Sequence, residues 1–144
     1  MSVTTITIDG FTLNAAQVLA VARQPVAQVQ VALADSSRAA LNESRAYIDA
    51  TWMHDQAPMM YSFNTGVGLL KDTRIKVADI GLFQNQLIKA HAAGLGEPFS
   101  EEVSRATMLL RANAFASNYS APRVEVVERL LAFINAGIHP IMPQ

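Results

Sequence analysis

Cysteine is absent from all 144 residues, which removes disulfide staples, thiolate nucleophiles and cysteine-based metal sites together. Charge is also sparse. Asp, Glu, Lys and Arg make up 16% of the chain, where a soluble protein usually carries about 25%, so its apolar faces are expected to be covered in an oligomer or a larger assembly. The formal net charge is -1, and no clustered Lys and Arg provide a footprint for nucleic acid or an anionic membrane. No run approaches the roughly 18 apolar residues of a membrane span. The opening "MSVTTITIDG" has no basic region followed by an apolar one, so a cytoplasmic location is expected.

What remains has the size of one ordinary domain, with no repeat, low-complexity linker or composition shift to divide it. Residues 1–144 therefore read as one segment without an internal boundary. "VTTITIDGFTL" alternates β-branched residues before an Asp9-Gly10 turn signal, which suggests a short hairpin-like element. Asn14 is placed to cap a short helix that Pro25 ends, and residues 35–52 form a long amphipathic helix with Leu41, Ile48 and Trp52 on one side. Asp79 is expected to cap the next helix, which stops in "HAAGLGEP". Ser100 opens another, with Glu101 and Glu102 favoured by the helix dipole, and its apolar residues point in most directions, as in a helix buried nearly all round. Ser120 and Pro122 introduce the last, where Val124, Val127, Leu131, Ile134 and Ile138 recur at spacings of three and four. The expected fold is mainly α, with five helical segments after a short β element at the N-terminus.

Few motifs carry chemistry. There is no Walker pattern and no G-x-S-x-G elbow, and the pairs Glu101/Glu102 and Glu125/Glu128 read as solvated. The three histidines lie in unrelated places with no carboxylate at ligand spacing, so no metal site is expected. The stretch "YSFNTGVG", Tyr61 to Gly68, is the exception. From spacing alone it is either a turn that Tyr61 anchors on the core, or a mobile lid that carries a phenol into a site with its glycines as hinges. His91 follows Gln84 and Ile88 on one helix face. It is either a structural histidine at a helix end or a ligand-binding one.

Taken together, "YSFNTGVGLLKDTRI", "FQNQLIKAHAAGLGEPF" and "LLRANAFASNYSAPRVEVVERLLAFINAGIHPIMP" resemble, in colinear order, the N-terminal part of the aromatic amino acid ammonia-lyase family, and "TITIDGFTL" does so more loosely. That family includes histidine, phenylalanine and tyrosine ammonia-lyases and related aminomutases. The resemblance implies the helical ammonia-lyase fold and a carbon-nitrogen lyase that eliminates ammonia from an aromatic amino acid. It also implies an electrophile, methylidene-imidazolone (MIO), formed from an Ala-Ser-Gly triplet.

Carried over residue by residue, Tyr61 matches the loop tyrosine that acts as catalytic base on the β-proton. A free phenol has a pKa of about 10, so a phenol working as a base near neutrality needs hydrogen-bond donors or a positive dipole beside it. His91 matches the histidine before Ala-Ala-Gly in the substrate pocket of the histidine-specific pattern, and favours histidine, giving urocanate, with tyrosine (lyase or aminomutase) as the alternative. Asn64 and Gly68 match loop positions lining that pocket, while Asn113 and Arg123 match positions of structural support.

Ser62 departs from the usual glycine, Val67 from a frequent aromatic, Gln86 from asparagine and Ala90 from serine, which bears on substrate choice. No Ala-Ser-Gly occurs in these residues. The resemblance therefore implies that the triplet belongs to a C-terminal remainder present as a second chain, within a homotetramer. A non-catalytic helical module is the reading of a different class.

Overall fold

A computed structural model of the protein describes residues 2–144. In chain order it contains β1 (Thr4–Ile8), α1 (Ala15–Arg23), β2 (Val29–Leu33), α2 (Asp35–Trp52), a 3-10 turn (Gly68–Leu70), α3 (Val77–His91), α4 (Glu101–Ala116) and α5 (Val124–Asn135). The mainly α class and the five helices are as the sequence led us to expect. Two compact units emerge, one formed by residues through Arg45 together with Leu95–Gln144, the other by Ala46–Gly94.

In the first unit the β element is not a hairpin. β1 pairs in parallel with β2, Ile6 opposite Val31 and Ile8 opposite Leu33, and a parallel pair needs a crossover, here α1. The Asp9-Gly10 signal is real but serves another turn. The Asp9 carboxylate accepts from the Phe11 and Thr12 amides and the Thr12 hydroxyl, each at 2.8 Å, and leads the chain toward α1. Those bonds, the Phe11 amide's first, hold the Asp9 carboxyl below its usual range.

Asn14 caps α1 in a reciprocal box with Gln17. β2, which the sequence reading passed over, buries Val29, Val31 and Leu33 alternately. One side of its backbone is closed by a side chain: the Asn135 carboxamide accepts from Val31 N at 2.8 Å and donates to Val31 O at 2.9 Å. This supplies the two bonds that a neighbouring strand would otherwise make.

The core joins both strands to α1, the start of α2, α4 and α5, around Ile8, Val21, Leu41, Leu109 and Val127. Gly10 comes so close to α4 that a Cβ on it would stand 2.4 Å from the Ser117 nitrogen and Cα, and its amide donates to Asn113 Oδ1 at 3.0 Å. Asn113 thus has the supporting place assigned to it. Ser100 caps α4 as read, accepting from Val103 N. However, α4 is not buried all round. Met108, Leu109, Ala112 and Ala116 are covered, while Val103 and Leu110 are 42% and 52% exposed, because α1 and α5 contact it and leave those apolar positions open. α5 starts at Val124 after Arg123 and ends in a Schellman turn: Ile138 N donates to Phe133 O, Gly137 N to Ile134 O, and Gly137 has φ +70°. Ile138 therefore falls beyond the helix and is exposed.

The second unit holds the end of α2, the glycine loop and α3. Trp52 meets Tyr47 edge-on and Phe63 at a tilt, with ring centroids 5.6 and 5.2 Å away, and Ile48 and Ala57 are buried. α3 begins at Val77, two residues before Asp79. Its first amide, Val77 N, is taken by the Asp55 carboxylate at 2.9 Å, so the cap comes from a distant carboxylate and Asp79 lies inside the first turn.

Candidate active site

All four candidate residues, Tyr61, Asn64, Gly68 and His91, lie in the Ala46–Gly94 unit. Tyr61 sits at the tip of a tight turn. Met60 O accepts from both Phe63 N (3.1 Å) and Asn64 N (3.2 Å), so the chain reverses within five residues. Ser62 completes the reversal with φ +67°, in the left-handed region that costs a residue with a Cβ but not glycine. That is a physical reason for a glycine at this position in the family pattern from which Ser62 departs. The Ser62 amide is held by Thr65 Oγ1 at 3.2 Å, and the Thr65 hydroxyl donates to Gly66 O at 2.9 Å. The Tyr61 side chain is 57% exposed.

Beneath the tip lies Asn64, 1% exposed. Its Oδ1 accepts from Met60 N at 2.8 Å, and its Nδ2 donates to Trp52 O (3.0 Å) and Pro58 O (2.9 Å). A carboxamide has two N–H donors and one carbonyl acceptor. Both donors and the carbonyl are engaged by the loop's own backbone, so the pocket-lining position expected for Asn64 is filled by a side chain turned inward. The far side of the loop is pinned as well. Ile75 N donates to Asn64 O and Gly66 N to Thr73 O, both at 2.9 Å, and Arg74 Nη2 donates to Ala57 O at 2.7 Å.

The two glycines of the loop differ in kind. A Cβ on Gly66 would stand 2.6 Å from the Leu70 Cβ and carbonyl oxygen, so its place is fixed by packing. Gly68 has φ +57° and open space around its would-be Cβ, so its place is fixed by conformation alone.

His91 is the last residue of α3. Its Nδ1 lies 2.8 Å from Leu87 O. A carbonyl only accepts, so Nδ1 is the donor in this bond, and in the tautomer that carries its single ring proton there Nε2 is an acceptor. The ring is exposed. Tyr61, Asn64 and Gly68 thus share one loop, and His91 stands at a helix end. Among the described residues no hydrogen bond joins Tyr61 to His91. No group of three His, Asp or Glu able to hold a metal occurs among the described residues.

Sequence reasoning passed over two residues that build this site. Thr65 is one, since a Thr hydroxyl three residues after an amide in a turn is an available partner. Nothing local in the sequence marks the bond from Val77 N to the Asp55 carboxylate.

Residues 13–144 match the family model described as "Aromatic amino acid lyase". The chain is 48% identical over 114 residues to a histidine ammonia-lyase of Geobacillus thermodenitrificans, covering 79% of this chain and 22% of that one. To the histidine ammonia-lyase of Bacillus subtilis it is 39% identical over 139 residues, covering 96% of this chain and 26% of that one. Among solved structures, a tyrosine aminomutase from Streptomyces globisporus superposes with a TM-score of 0.88 at 29% identity, covering 97% of this chain and 26% of that one. Histidine ammonia-lyase from Trypanosoma cruzi gives 0.83 at 26% identity, with 97% and 26% covered. The chain thus spans about a quarter of the length of the curated relatives it matches. With sequence and fold in agreement over nearly all of its length, the chain belongs to the aromatic amino acid lyase family.

Proposed function

We propose that this chain forms the tyrosine-loop portion of an ammonia-lyase that converts L-histidine to urocanate and ammonia. Tyr61 is the base that takes a proton from the substrate β-carbon. The electron pair of that C–H bond becomes the second bond between Cα and Cβ, and the amine leaves with the electrons of the Cα–N bond. The electrophile expected of the family would labilise the amine, but it forms on an Ala-Ser-Gly triplet that these 144 residues do not contain. The triplet and the remaining pocket residues fall to the portion of the relatives that this chain does not span, with the assembled enzyme a cytoplasmic homotetramer. The exposed apolar positions of α4 support such an assembly, since faces of this kind need partners.

The observation that carries the substrate assignment is the 2.8 Å contact between His91 Nδ1 and Leu87 O. With Nδ1 tied to Leu87 O, Nε2 accepts a hydrogen bond from a side chain that bears a donor, and a site built for such a donor discriminates against analogues lacking it. Imidazole N–H and phenol O–H qualify, while phenylalanine does not. The relatives named histidine ammonia-lyase favour imidazole. The likeness to a tyrosine aminomutase keeps tyrosine as the second reading.

The test is a product assay of the assembled enzyme with histidine, tyrosine and phenylalanine. Urocanate as the dominant product supports the assignment, whereas coumarate or β-tyrosine as the dominant product replaces histidine by tyrosine. Absence of any elimination product from an intact assembly would leave the non-catalytic module as the correct reading.

A further inference from the structure

We propose that Asn64 and Thr65 are positioning residues for the Tyr61 base, because the Thr65 hydroxyl holds the peptide after it and the Asn64 carboxamide ties residue 60, whose carbonyl takes the Asn64 amide, to the end of α2. This rests on the assignment of Tyr61 above. The Met60–Tyr61 peptide is held through Met60 O, which accepts from Asn64 N at 3.2 Å, and the other backbone polar group of Met60, its N–H, goes to Asn64 Oδ1 at 2.8 Å. Residue 60 is therefore gripped on both sides by residue 64. The Tyr61–Ser62 peptide is held through Ser62 N, which donates to Thr65 Oγ1 at 3.2 Å. With both planes fixed, the direction of the Tyr61 Cα–Cβ bond is set by the backbone, while the residue remains exposed and open to a substrate.

The choice of residue follows from the partners. Asn64 faces one amide donor and two carbonyl acceptors, Trp52 O and Pro58 O. A carboxamide is complementary to that set. A carboxylate has no donor for the two carbonyls, and an aliphatic side chain would leave all three backbone groups without this partner. Because Trp52 is the last residue of α2, the bond to its carbonyl references the turn to a rigid element rather than to the loop alone. A base held within hydrogen-bonded peptide planes reaches the β-carbon in few conformers, and displacement by about 1 Å costs on the order of a hundredfold in rate.

The experiment compares Asn64→Ala and Thr65→Val with Tyr61→Phe, and with the double variants, in the assembled enzyme, using histidine with and without deuterium at the β-carbon. If the pair positions the base, Asn64→Ala lowers kcat by at least about tenfold with KM within about twofold, and the primary isotope effect on kcat rises because proton removal becomes slower. In the Tyr61→Phe background the same change produces no further loss, since it acts through the missing phenol. Thr65→Val, nearly isosteric, shows the same pattern at smaller amplitude and serves if Asn64→Ala does not fold. A merely structural role lowers the amount of active enzyme and leaves the isotope effect unmoved. An unchanged isotope effect, or an equal fold-loss with and without the Tyr61 hydroxyl, overturns the proposal. If Tyr61→Phe alone keeps full turnover, the base assignment itself has failed, and that outcome is separate from the other two.

Discussion

Gly10 and Gly68 both have positive φ, yet alanine should be far more costly at the first. At Gly10 the added methyl would stand 2.4 Å from the Ser117 nitrogen and Cα, backbone atoms that cannot rotate away, and relief requires β1 or the end of α4 to shift. That shift also stretches the 3.0 Å bond from Gly10 N to Asn113 Oδ1. Left-handed strain, overpacking and a weakened hydrogen bond together come to roughly 3–5 kcal/mol, a large part of the roughly 5–15 kcal/mol by which a domain is stable. At Gly68 nothing lies within 4 Å of the added methyl, so only the conformational strain remains, about 1 kcal/mol. Urea unfolding followed by circular dichroism, with m-values compared to confirm a common reference, separates the two variants directly. If Gly10→Ala is no more destabilising than Gly68→Ala, the packing argument for the β1–α4 junction is wrong. Turnover then adds information at the second site, because a loss in Gly68→Ala beyond about tenfold exceeds what about 1 kcal/mol of strain explains and indicates contact with substrate.

Three other changes have defined outcomes. Ser62→Gly relieves about 1–2 kcal/mol of left-handed strain and loses about 0.5–1 kcal/mol to the freer unfolded chain, so thermal unfolding should move up by a few degrees, and a lower midpoint would contradict the strain assigned to this turn. His91→Leu removes the Nε2 acceptor and should raise kcat/KM for phenylalanine relative to histidine, an unchanged ratio counting against its role. The bonds from the Phe11 and Thr12 amides hold the folded Asp9 carboxyl below its unfolded value, so its stabilising contribution is present above the unfolded pKa and is lost as pH falls through the folded pKa. Asp9→Asn should therefore flatten the acid limb of the stability profile, and an acid limb of undiminished steepness would refute this.

The helices were legible because their signals are local. Asn14 with Gln17, Ser100 ahead of two glutamates and Pro25 after Arg23 each act within one turn, and the 35–52 span carries its periodicity on its face. β2 was not, since five residues of alternating burial gain their meaning from a parallel partner about twenty-five residues upstream in register, and no local pattern announces a crossover. Likewise Asp9-Gly10 marks a turn without saying which element follows it. α4 shows a different limit: an apolar residue records that a face needs covering, whether or not the covering lies in the same chain, so Leu110 read as buried and stands exposed. In the candidate site, the family pattern marked Tyr61, Asn64, Gly68 and His91, but the bonding of the Asn64 carboxamide was not legible, because the same side chain can face a ligand or the backbone. Only the positions of Trp52 O, Pro58 O and Met60 N decide between them.

The most direct test of the central claim is the steady-state turnover of histidine by the assembled enzyme with Tyr61→Phe. The phenylalanine ring keeps the packing of the turn and removes only the hydroxyl. We expect an assembly of unchanged thermal stability, KM within about twofold of the parent, and kcat lower by about 10²–10⁴, the usual share of a general base. Turnover close to that of the parent would contradict Tyr61 as the base and move the search for it outside this loop.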